Sequence, residues 1–329
     1  MFDILSLAAS NLTSPVVLFF VLGFAAALVR SNLALPEPVA KALSIYLMMA
    51  IGFKGGAAVA DYGVGADLIL ALVAGAILSA FLPLIAFALL SGMSRLPQVD
   101  RAAVAAHYGS ISIVTLVAAT DSVTRLGQDY EGFIVAVAAV METPAILVGL
   151  WLANRGRSVD TSDQLVSRDQ FLREIFLNSS VVILIGAFII GFITGPAGLK
   201  EIEPLIVDPF KGLLCLFLLD MGAIAGRGLL KGGRDLSAPV IGFGLIMPLV
   251  GATVALPVAW AIGLSAGGAA LFVTLAASAS YIAVPAALRM ALPEARPAIS
   301  LTLSLAVTFP FNLTIGIPLY QVMSNWIIG

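Results

Sequence analysis

Leu236–Leu288, LSAPVIGFGLIMPLVGATVALPVAWAIGLSAGGAALFVTLAASASYIAVPAAL, runs for 53 residues without an Asp, Glu, Lys or Arg. A helix needs about 20 apolar residues to cross the hydrocarbon core of a bilayer, so this stretch is long enough for two passes. It divides at Gly263-Leu264-Ser265-Ala266-Gly267-Gly268. Working outward from it, Ile4–Val29, Leu68–Ser94, Ala102–Thr120, Ile175–Leu199 and Pro297–Gly329 are also free of charge. Three more apolar stretches carry isolated charges: Ala42–Ala60 with Lys54, Gly132–Asn154 with Glu142, and Leu205–Gly226 with Asp208, Lys211 and Asp220. The expected fold is an all-α integral membrane protein of ten transmembrane helices. Ile4–Val29 is read as a retained span, because neither a basic leader nor a cleavage site surrounds it.

The composition agrees. Of 329 residues, 60% are hydrophobic and 11% charged, against about 25% charged in an average soluble domain. Mean hydropathy is +1.07. A net charge of −2 speaks against a nucleic-acid partner, which would demand a basic face. One cysteine, Cys215, makes an intrachain disulfide impossible, and one histidine, His107, leaves no His-cluster metal site. No phosphate loop, nucleophile elbow or zinc-protease motif appears, so an enzyme is not expected, nor any cofactor.

Ten spans leave nine loops, and their Lys and Arg content sets orientation. The odd loops hold twelve of these residues, including Arg95, Arg101, Arg155 and Arg157, while Lys54, Arg125 and Lys200 make three in the even loops. Odd loops are therefore expected in the cytoplasm, with both termini outside. The most hydrophilic stretch, within 155–174, reads as a cytoplasmic linker between a first half, 1–154, and a second, 175–329.

The halves carry matching marks. Ser110-Ile111-Ser112 precedes Pro144 as Ser278-Ala279-Ser280 precedes Pro310, and Ile51-Gly52 stands to the first half as Met221-Gly222 does to the second. Five spans per half is an odd number, so the second copy would be inverted, an arrangement frequent in secondary transporters. The fourth and ninth spans are expected to be interrupted. Each places small hydroxyl residues beside a helix breaker: Ser110, Ser112 and Thr115 beside Gly109, and Ser278, Ser280 and Tyr281 beside Pro285. Interrupted helices at membrane depth expose N–H groups that attract an anion. The alternative is close helix packing through small residues. Glu142 and Asp220 are acids at membrane depth and need a partner, a proton or a cation. With Thr308, Asn312 and Thr314 they form an oxygen set suited to Na⁺. Ion pairing with Lys54 or Lys211 is the competing reading for the acids. His107 reads as a hydrogen-bonded packing residue, and Trp151, Trp260 and Trp326 as interfacial anchors.

These residues resemble a known family. His107-Tyr108-Gly109-Ser110-Ile111-Ser112, Met141-Glu142-Thr143-Pro144-Ala145-Ile146 and Cys215-Leu216-Phe217-Leu218-Leu219-Asp220-Met221-Gly222 are similar to sodium-dependent bicarbonate transporters. So are the block from Ala277 to Ala286 and the block from Thr308 to Tyr320. The resemblance implies two inverted five-helix repeats, with spans 1, 2, 6 and 7 as a gate and spans 3–5 and 8–10 as a core. It implies Na⁺-coupled bicarbonate uptake at the plasma membrane, a homotrimer and, as in cyanobacterial members, a PII-like regulatory protein on the cytoplasmic side. Two other readings stay open: a sodium-coupled carrier of another small or organic anion, and a membrane sensor or scaffold without flux.

The orientation is directly testable. In a Cys215→Ser background, Arg95→Cys should react with a membrane-impermeant maleimide only from the cytoplasmic side, and Lys200→Cys only from outside.

Overall fold

The computed structural model describes residues 13–155 and 179–329, apart from 34, 64, 233–235 and 282. The expected linker, beyond Arg155, and the beginning of the first span lie outside the described residues. The chain is all-helical, 82% helix, with no strand among the described residues. In chain order the helices are α1 Pro15–Leu28, α2 Glu37–Tyr62, α3 Ala66–Met93, α4 Gln98–Gly109, α5 Ile113–Arg125 and α6 Ile134–Asn154. There follow α7 Ser179–Glu201, the single turn α8 Glu203–Ile206, α9 Phe210–Gly232, α10 Ala238–Ala261, α11 Ala266–Ala276 and α12 Ala283–Ala291. The last, α13, is one continuous helix over Pro297–Ile327.

Among the described residues, seven segments are long and apolar enough to cross a membrane: α2, α3, α4 with α5, α6, α8 with α9, α10 and α13. The protein is a multi-pass membrane protein. The large exposed side chains of α3 and α7, among them Ile77, Phe81, Ile190 and Ile193, form the apolar outer surface that lipid requires.

Two helix pairs cross at backbone contact. In α1 against α9, a Cβ on Gly23 would lie 1.9 Å from Leu219 O, and one on Gly222 would lie 2.0 Å from Phe20 O. In α2 against α7, a Cβ on Gly56 would lie 1.9 Å from Phe188 O, and one on Gly191 would lie 2.1 Å from Phe53 O. In hydrocarbon the association of helices depends on such packing, because lipid tails are as apolar as leucine. Lys54, counted from the sequence both within the second span and among the loop charges, sits inside α2. The seventh span begins close to the expected Leu205, with the single turn of α8 preceding α9.

A second assembly packs α3, α4 and α6 together, and α10, α11 and α13 together, with α5 against α11 and α12 against α4. Gln98–Arg125 is enclosed by these neighbours along its apolar length. The assembly is tied at both ends by a carboxylate on a backbone N–H from the other half of the chain. Asp100 accepts from Arg296 N at 2.8 Å and pairs with its guanidinium at 2.7 Å. Glu131 accepts from Ser265 N at 2.7 Å, where α11 begins.

Gly222→Val and Gly56→Val should each destabilise the protein by about 1–3 kcal/mol, the usual cost of overpacking, or prevent folding, because backbone blocks the added carbons. Gly92→Ala in α3, with nothing within 4 Å of the added carbon, should not lower the melting temperature measured in detergent.

Candidate functional site

The interruptions in both halves are real, and they meet. Helix α4 stops at Gly109 and α5 restarts at Ile113; α11 stops at Ala276 and α12 restarts at Ala283. The sequence put the cause of each break in Gly109 and Pro285, and the structure gives these residues other work. Gly109 has no unusual backbone angle. It admits Pro83, whose Cγ would lie 2.1 Å from an added Cβ. Pro285 falls in the first turn of α12, where a missing N–H costs nothing because no acceptor awaits it.

The two non-helical segments hold each other. Ser280 N donates to His107 O at 2.8 Å. Ser112 N donates to Ser278 Oγ at 2.8 Å, and that hydroxyl donates to Leu275 O at 2.8 Å. Ser112 also caps α5, its Oγ accepting from Thr115 N at 3.1 Å and from Thr115 Oγ1 at 2.9 Å. Ser280 Oγ accepts from Val284 N at 3.4 Å at the start of α12. Three of the chosen hydroxyls, on Ser112, Ser278 and Ser280, thus satisfy helix ends that the bilayer cannot hydrate, and the Thr115 hydroxyl is spent on Ser112.

What remains unsatisfied is more informative. Ser110 Oγ is fully enclosed and has no hydrogen-bond partner. Glu142 is 6% exposed, and its Oε2 has no partner. The Tyr281 hydroxyl lies against Ser112 without a hydrogen bond of good geometry. Native proteins leave few such groups, and each calls for an explanation such as a bound ion or ligand. Glu142, Tyr281, Ser112 and Ser280 line one small cavity with Met48, Ile111, Ile113 and Ala283. It offers about 10 Å³ to the centre of a water-sized sphere, room for about one water molecule. A lone Na⁺ fits this space as shaped; a bicarbonate requires it to widen.

Glu142 stands where α6 is locally opened. Pro144 follows two residues later. Ser79 of α3 reaches into the helix ladder there, its Oγ donating to Met141 O and accepting from Ala145 N at 3.2 Å. Inserted side chains and prolines are recognised causes of helix distortion. Ser79 was missed from the sequence, since only the contact with α6 distinguishes it from other small residues of α3.

The remaining oxygen candidates divide. Asn312 donates to Ala277 O at 2.8 Å and accepts from Tyr320 OH at 2.8 Å, so it fastens the end of α11. Thr308 donates to Gly244 O at 2.7 Å and accepts from Tyr108 OH at 2.5 Å. Both occur on α13, which carries π-helical segments at Leu303–Thr308 and Asn312–Gly316. Thr314 bonds back to Pro310 O at 2.8 Å within its own helix. Asp220 accepts from Leu35 N at 3.2 Å. Neither Thr314 nor Asp220 lines the small cavity. The competing reading, ion pairing of these acids, is not what forms: Lys211 pairs with Asp121 at 2.7 Å, and Lys54 rests on the Phe210 ring, 4.2 Å from its centroid. His107 Nδ1 donates to Ala103 O at 2.7 Å, in keeping with a packing role, while its Nε2 has no partner. Trp151, Trp260 and Trp326 are exposed, as interfacial anchors are.

Two interrupted helices that meet among apolar spans, with unpartnered polar atoms on and beside a small cavity, are features found in membrane carriers. The chain belongs to the Na⁺-dependent bicarbonate transporter superfamily, which it matches over residues 15–325. It is accordingly not an enzyme. No curated protein matches it.

Two replacements separate scaffold from site. Asn312→Ala should cost about 1–3 kcal/mol, since it strands the Ala277 carbonyl and the Tyr320 hydroxyl. Ser110→Ala should leave the melting temperature unchanged or raised, since it removes a hydroxyl that nothing satisfies.

Proposed function

We propose that the protein imports bicarbonate across the plasma membrane by Na⁺-driven symport with alternating access. It is built as ten spans in two inverted five-helix repeats, 1–154 and 175–329, with both termini outside. A gate of α1, α2, α7 and α9 stands against a core of α3–α6 and α10–α13. The crossing pairs support this division. A displacement of 168 residues carries Phe20 and Gly23 onto Phe188 and Gly191, and one of 166 carries Phe53 and Gly56 onto Leu219 and Gly222, contact for contact. The match of Gly222 with Gly56 moves the register one helical turn from the Gly52 read in the sequence. The two end ties support it as well: each joins a loop of one half to the helix start of the other.

The observation that carries the reading is the set of orphaned groups at the crossing: Ser110 Oγ, Glu142 Oε2 and Tyr281 OH. Glu142 supplies the charge for Na⁺. Bicarbonate lies toward Ser110 and the starts of α5 and α12, where helix N–H groups favour an anion. Gly109, Ser112, Thr115, Ser278, Ser280 and Tyr281 shape this place. A buried cation and anion side by side each lower the cost of the other, which couples the two bindings. Asn312 and Thr308 hold the frame around the ions, and Asp220 and Thr314 stay outside the first contacts. The protein acts as a homotrimer, and the cytoplasmic linker receives a PII-like regulator.

In proteoliposomes, an inward Na⁺ gradient should drive accumulation of isotopic bicarbonate, and its removal should abolish it. Glu142→Gln should reduce Na⁺-driven uptake at least tenfold. Ser110→Ala combined with Ser278→Ala should do the same in folded protein; undiminished uptake in both variants refutes the site.

A further inference from the structure

A larger cavity lies elsewhere, with α2 and α9 on one wall and α5, α6 and α11 on the other. It measures about 320 Å³ and shares no lining residue with the cavity at the crossing. That is the lower end of the range for sites that enclose organic ligands. Most of its wall is hydrocarbon, including Leu116, Val117, Ile134, Val135, Leu214 and Leu271. Its charges are few and unequal. Asp121 is already engaged by Lys211 at 2.7 Å and by Arg125 at 3.2 Å. Lys54 has no carboxylate partner among the described residues, only the face of the Phe210 ring. A ring face engages one side of an ammonium group that carries three donors.

We propose that this cavity binds an amphiphilic monocarboxylate, its head on Lys54 and its hydrocarbon tail along the apolar wall between α5 and α6. Bicarbonate has four heavy atoms and no apolar surface, so it would leave that wall uncovered. A neutral alcohol would leave Lys54 without an anion. Because the ligand touches both walls, it also fixes α2 and α9 against α5 and α6. Resting on the alternating-access reading above, the inference makes the carboxylate an inhibitor and not a cargo.

The probe is 4-phenylbutyrate, titrated calorimetrically into the full chain in nanodiscs without Na⁺ or bicarbonate. Acetate and 4-phenylbutan-1-ol should bind at least tenfold more weakly. Lys54→Met should weaken 4-phenylbutyrate at least tenfold, and Lys54→Arg should restore most of the binding. Thr124→Trp, a change at an exposed position on the cavity rim, should weaken it too, and covers the case in which the Lys54 variants fail to fold. Equal binding of acetate or of the alcohol, or an unchanged Kd in Thr124→Trp and Lys54→Met, would overturn the site. Accumulation of labelled 4-phenylbutyrate in proteoliposomes would overturn the inhibitor role. Absence of any bicarbonate flux refutes the transport reading and leaves the binding site standing; flux undiminished at saturating 4-phenylbutyrate refutes the inference alone.

Discussion

No water reaches the middle of a bilayer to satisfy a loose N–H or C=O group. The two helix interruptions therefore need partners, and this need organises the core. Each interruption finds them in the other: Ser280 N on His107 O, and Ser112 N on Ser278 Oγ. The capping hydroxyls and the Asn312 amide take up most of what is left. At the crossing itself Ser110 Oγ, Glu142 Oε2 and Tyr281 OH are left without partners, and on these the proposed ion site rests.

The two assemblies are held by different physics. The pairs α1 with α9 and α2 with α7 approach through glycines to backbone contact. The enclosed helices around the crossing are held by hydrogen bonds and by carboxylates at their ends. The first kind of contact is set mainly by shape, with Asp220 on Leu35 N and Arg227 on Leu33 O fastening the α1–α2 loop to α9. The second is directional, and keeps the interrupted segments in register.

Much of this was legible from the residues. Long apolar stretches gave the all-helical, membrane-spanning character, and paired Ser-containing segments gave the breaks. The limits were set by what depends on contact and not on residue type. Glycine and proline suggested where helices break, yet Gly109 serves Pro83 and Pro285 opens a helix, because their neighbours decide their use. The hydroxyls of Ser112 and Ser278 were read as ligands for an anion, while geometry spends them on helix ends. Glu142 and Asp220 looked alike in sequence; only the fold sets one beside the small cavity and the other on a backbone N–H near α2. Lys54 read as an isolated charge in the second span and lines a pocket in the fold, since a single charge in an apolar run does not reveal which way it faces.

Ser280 N on His107 O has a consequence for biogenesis. Residue 107 emerges from the ribosome long before residue 280. Until the later segment is inserted, the carbonyl of His107 and the amide of Ser112 stand bare in the membrane. The nascent first half is therefore a transient, incompletely satisfied object, and the final turns of synthesis close it.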